Sequence, residues 1–203
     1  MRSLSEIDTL SKRASKGIGF SWGVSEEIGK SIRLMELFGL PGLKNLNNYF
    51  KVIKKSQFQN ISLITEMNIS NKIPYCPIIT GINFMDQIHS LEKHNKVIFR
   101  NMAYPILLIP FLSRSSEIIG KRLSFRVENE NFLLNFNQSI HLKSNLSNLK
   151  DKAEILEIEF LKNENTFNEK DWEELYKISE ETFVKENESL KNNAAGAGLT
   201  DND

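Results

Sequence analysis

The chain of 203 residues has one cysteine, no apolar run long enough to cross a membrane, no net charge and no internal repeat. Each absence excludes something. A lone thiol, Cys76, can make no disulfide within the chain and no cysteine metal cluster. The longest apolar stretch, Tyr104 to Leu112, is interrupted by Pro105 and Pro110 and falls far short of the roughly 18–20 residues of a membrane span. The N-terminal residues lead into an amphipathic segment and not into an apolar signal core. A cytoplasmic protein that does not enter the membrane is the expectation.

Formal net charge is zero, from 26 basic and 26 acidic residues, but the halves differ. Residues 1–150 hold 20 bases against 11 acids, and residues 151–203 hold 6 against 15. The basic residues are scattered, without the clustered face or motif of a nucleic-acid binder. The two parts are expected to attract one another within the fold, and no nucleic-acid partner is expected. Apolar and charged fractions are those of an ordinary globular protein. This length buries about two thirds or more of the unfolded surface, so folding needs no metal or disulfide.

The periodicity predicts an α+β fold: N-terminal helices packed on a mainly antiparallel sheet, then a C-terminal helix and a flexible tail. Residues 1–190 form the expected single domain and 191–203 the tail. Ser3 and Glu6 form a capping box before the stripe Leu4, Ile7, Leu10 and Ala14, and Gly17 and Gly19 end that helix. Ser25 is the expected cap of a second helix bearing Ile28, Ile32 and Met35, which Gly39, Leu40 and Pro41 stop. Pro41 opens a third, with Leu43, Leu46, Phe50 and Ile53 inward. Strand fragments are expected at 61–64 and 78–79, and a short helix from Gly81 to Leu91. A strand at 97–100 and a buried helix from Ile106 to Ile119 follow. Leu123, Phe125 and Val127 alternate, turn at Glu128 to Asn131, and return through Phe132, Leu134 and Phe136. A strand at 153–161 and a helix capped by Asn168, with Trp172, Leu175, Ile178 and Phe183 as its apolar set, complete the chain.

Chemistry is hard to find in these residues. His89, His94 and His141 have no metal-ligand spacing, and no nucleophile elbow, phosphate loop or zinc-protease helix is present. Cys76, in Tyr75-Cys76-Pro77, has no adjacent base to lower its pKa, so a small buried hydrophobe is expected there before a nucleophile. The ending, Ala195 to Asp203, lacks the third glycine of a dinucleotide fingerprint and the distal glutamate of a calcium loop. It is a strip of backbone opened by Gly196 and Gly198 and bearing the carboxylates of Asp201 and Asp203. No metal and no cofactor are expected.

Several runs carry a resemblance. Leu4-Ser5-Glu6-Ile7, Ser21-Trp22-Gly23-Val24-Ser25-Glu26-Glu27-Ile28-Gly29 and Gly39-Leu40-Pro41-Gly42 open it. Cys76-Pro77, Gly81, the segment Pro105 to Pro110, Thr182-Phe183-Val184 and Gly196 to Asp203 continue it. Together these resemble a proteobacterial family described as a domain of unknown function. The resemblance implies no activity, substrate or cofactor, but it raises the value of the tail, Gly196, Gly198, Asp201, Asn202 and Asp203, and of Trp22, Glu26 and Glu27. Those residues, with Cys76, are the candidate site. The expected function is binding of a protein partner, or self-association, as an accessory to a metabolic enzyme. The alternative is a small-molecule enzyme using Asp201, Asp203 or Glu27 for acid–base chemistry. Trp22 is expected to be buried between its flanking helices.

Overall fold

Ser3 takes extended backbone, accepts the Glu6 N–H and has its own N–H accepted by the Glu6 carboxylate, so the capping box starts α1 (Leu4–Ile18) as its spacing predicts. Gly19, at φ 112°, ends it in a conformation only glycine adopts cheaply. The inward face is rotated from the expected one: Ile7, Ser11 and Ser15 are buried, while Leu10 lies in solvent. Small residues are needed there because α2 (Trp22–Leu37) approaches closely. A methyl group on Gly29 of α2 would lie 2.6 Å from Asp8 Oδ1. The cap of α2 is Ser21, which accepts from the Val24 N–H, and not Ser25, which is buried a turn inside the helix. Gly39, at φ 70°, then turns the chain into α3 (Gly42–Ile53), whose Leu46, Tyr49 and Phe50 point inward.

The computed structural model describes residues 2–53, 55–135, 137, 140–142, 150–164 and 166–182. No strand forms at 61–64; instead β1 (Met67–Ile69) follows it. Ile78 and Ile79 are helical, not extended. Cys76 caps α4 (Pro77–Asp86), and Pro77 begins it with φ preset for a helix. After α5 (Ile88–Leu91) and β2 (Lys96–Ala103), a 3-10 turn at Pro105–Leu108 runs into α6 (Ile109–Ile119). The hairpin of β3 (Leu123–Val127) and β4 (Glu130–Leu134) is in the expected place, with β5 (Ile140–Leu142) and β6 (Lys152–Phe160) after it. Phe136 lies outside the described residues.

Among the described residues six strands lie in the order β1-β2-β6-β3-β4-β5, with β1 and β2 parallel and every other pair antiparallel. Register aligns Val97, Ile158, Phe125, Phe132 and Leu142 in one row across five strands. The first four of these are buried. The opposite face carries Glu157 bonded to Lys96 and Arg126, the alternation of a sheet with one wet side. α6 is buried over most of its surface, its serines included, and it packs on β3 and β4 as well as on α2 and α4. The N-terminal helices meet their main partners in α4, α6 and the 3-10 turn. The fold is α+β with N-terminal helices, a mainly antiparallel sheet and a C-terminal helix.

The described residues separate into two units, one ending at Asn163 and the other beginning at Glu164. In the second, Asn168 and Asp171 make a reciprocal capping box at the start of α7 (Glu169–Glu180). None of the residues of α7 is buried.

Candidate functional site

Of the proposed residues, Trp22 is placed otherwise than expected. It opens α2 on the outer side, 58 % exposed, with the Lys16 ammonium 5.4 Å from its ring centre. The core side of α2 is filled by Ser25, Ile28, Gly29, Ile32 and Met35, so an indole at the first helical position has no neighbour to bury it. Glu26 lies one turn further on and is exposed.

Glu27 faces the other way, toward α6. One carboxylate oxygen accepts from Lys30 Nζ at 2.7 Å, the other from Arg114 Nη1 at 2.5 Å. Burial alone would push this carboxyl up. The two cationic donors outweigh that and hold it below its ordinary value. Around this pair runs a groove of about 300 Å³ lined by Lys30, Arg33, Leu34, Leu37 and Arg114. Arg114, Lys30 and Arg33 are missed by motif reading. Arg114 carried no signal toward Glu27, because Glu117, three residues further along the same segment, is a nearer carboxylate in the sequence.

Cys76 lies deep beneath α3. Its Sγ is 2.9 Å from the Tyr49 hydroxyl and accepts the Ile79 N–H at the start of α4. Burial pushes the thiol up, against the hydrogen bonds that favour the thiolate, and burial with Cys76 alongside pushes the Tyr49 phenol up too. The Tyr49 ring also meets Phe58 and Tyr104 at 5.1 and 5.6 Å. A protonated thiol sealed by aromatic rings is a packing group, not a nucleophile. No described contact joins Cys76 to Trp22, Glu26 or Glu27.

On α7 the large apolar side chains Trp172, Leu175, Tyr176 and Ile178 are all exposed. Trp172, Leu175 and Tyr176 share a stripe, with Ile178 beside it, and Phe167 stacks on Trp172 at 5.7 Å. Leu175 is 67 % exposed. The flanks are acidic: Glu169, Asp171, Glu173, Glu174, Glu180 and Glu181 against Lys170 and Lys177. Gly196, Gly198, Asp201, Asn202, Asp203 and Phe183 lie outside the described residues. Among the described residues no three histidine, cysteine, aspartate or glutamate side chains are grouped to hold a metal ion, and no helix is long and apolar enough to cross a membrane.

No curated protein and no solved structure matches the chain. Residues 2–75, from α1 through β1 to the threshold of α4, match the model of the family described as "Protein of unknown function (DUF3726)".

Proposed function

We propose that this is a cytoplasmic partner-binding protein, an accessory to a metabolic enzyme, which docks α7 into a groove on its partner. The observation that carries the reading is the bare apolar stripe of α7. A 12-residue helix is marginal in water alone. A helix with Trp172, Leu175 and Tyr176 outward fits the mode in which an amphipathic helix lays its apolar face into a groove. The acidic flanks commit the partner's chemistry: an apolar groove rimmed by lysine and arginine. The accessory role follows from the sequence argument that no poised nucleophile is present, so the chemistry would be done by the partner. The enzyme alternative loses support at Glu27, since a carboxylate held by two cations is a weak general base.

The test uses the full chain with a photo-crosslinking residue in place of Tyr176, followed by purification of whatever is captured and direct titration. Trp172→Ala with Leu175→Ala should weaken binding of the purified partner by at least about 30-fold, since aromatic anchors cost about 2 kcal/mol or more each. Affinity should also fall with added salt. If that double variant binds as the parent does, or if salt has no effect, the reading fails.

A further inference from the structure

We infer that the groove between α2 and α6 binds a small doubly charged oxyanion, a phosphomonoester or a dicarboxylate, carrying an apolar group. Its lining holds three cations, Lys30, Arg33 and Arg114, and two leucines, Leu34 and Leu37, with no carboxylate among them. Glu27 holds two of the cations from outside that lining. The lining itself is therefore cationic, which suits an anion that carries more than one charge.

Three features separate this groove from an ordinary patch of surface lysines. Arg114 stands on α6, the helix between the sheet and the N-terminal layer, and its ion pair with Glu27 fixes the guanidinium before any ligand arrives. Preorganised, planar donors suit two oxygens of one phosphate or carboxylate better than mobile ammonium groups do. Arg33 has no hydrogen bond or ion pair among the described residues, so its donors are available. Leu34 and Leu37 form a wall beside the cations, and Leu37 is exposed although it is a large apolar side chain. A volume of about 300 Å³ suits one small molecule. It is too confined for the run of phosphates along a nucleic acid.

The full-length protein should be titrated by isothermal calorimetry at constant ionic strength with inorganic phosphate, phenyl phosphate, succinate and phenylsuccinate. Saturable binding is expected for one anion pair, with the phenyl-bearing member of that pair tighter by several-fold. Which pair binds tells phosphate from carboxylate chemistry. Arg33→Glu, on an exposed position, should weaken binding by about tenfold or more, the loss of one charge-assisted contact, and Leu37→Ser should remove only the advantage of the phenyl group. Lys72→Glu, the same charge change placed elsewhere in the sequence, should leave binding unchanged. Absence of saturable binding by all four anions up to tens of millimolar would overturn the proposal. So would equal losses from Arg33→Glu and Lys72→Glu, which would mean attraction to net charge and not a site.

Discussion

Gly81→Ala tests the packing that holds the helical layer on the sheet. Gly81 lies in α4 and faces Phe111 of α6, which is fully buried. A β-carbon added there would stand 2.4 Å from Phe111 Cδ2 and 2.6 Å from Cγ. Carbon atoms settle at about 3.5–4.0 Å, so α4 and α6 must part by about 1 Å or the ring must leave its rotamer. Overpacking of this kind costs about 1–3 kcal/mol, and an overlap with a ring fixed on all sides belongs at the upper end. Alanine's better helix propensity returns about 1 kcal/mol. The net loss is about 2 kcal/mol, or a fall in Tm of about 4–8 °C for a domain of this size. Urea and thermal melts followed by circular dichroism give the value. Phe111→Leu supplies the control, because without the ring the added methyl should be neutral or stabilising, so the two changes couple strongly in a double-mutant cycle. A single Gly81→Ala variant as stable as the parent would refute the argument.

Trp22→Ala should change stability by no more than about 0.5 kcal/mol, as for other exposed positions, and a urea melt showing a loss above about 2 kcal/mol would mean that the indole is covered after all. Cys76 should react with a thiol reagent only as fast as the protein unfolds, and full modification within minutes in native buffer would show the thiol to be accessible. Tyr49→Phe removes the hydroxyl from that thiol and should cost about 1 kcal/mol with the fold intact, measured by the same melts. Glu27 gives up its proton more readily folded than unfolded, so the contribution of its ion pairs is complete above about pH 5 and is lost as pH falls below the ordinary value of 4.5. In Glu27→Gln that acid limb of the stability curve should flatten, and an unchanged limb counts against the pairing.

Local signals placed most elements. The capping box at Ser3, the helix cap at Asn168, the stop at Gly39 and the alternation through Leu123, Phe125 and Val127 each depend on residues within a few positions of one another, and each is where it was expected. The failures come from competition between local signals. At 76–79, isoleucines favoured a strand, but a cap at Cys76 and a proline at the first helical position favoured a helix, and packing against α6 decided it. At the start of α2 two serines could cap, and Ser21 does so because Ser25 is needed on the close-packed face toward the core. β1 was invisible because three residues carry no alternation worth reading, and its pairing partner lies some thirty residues later.

The site is a harder inference than the fold, and α1 beside α7 shows why. Both are short amphipathic helices with a capping box, and a period of 3.6 marks an apolar face on each. On α1 part of that face is buried by neighbouring helices; on α7 none of it is buried. Periodicity tells that a face exists and says nothing of what covers it. The same limit explains Trp22, where large apolar size argued for burial but position at a helix start left nothing to bury it. Groove chemistry is less legible still. Lys30 and Arg33 are neighbours along α2, but Arg114 comes from a helix some eighty residues later, and only the packing of α6 against α2 brings it to Glu27. A partnered guanidinium on a buried helix restrains two helices at once, so Glu27 and Arg114 contribute to the fold whether or not an anion binds. That is why the anion test relies on Arg33, which has no such structural role.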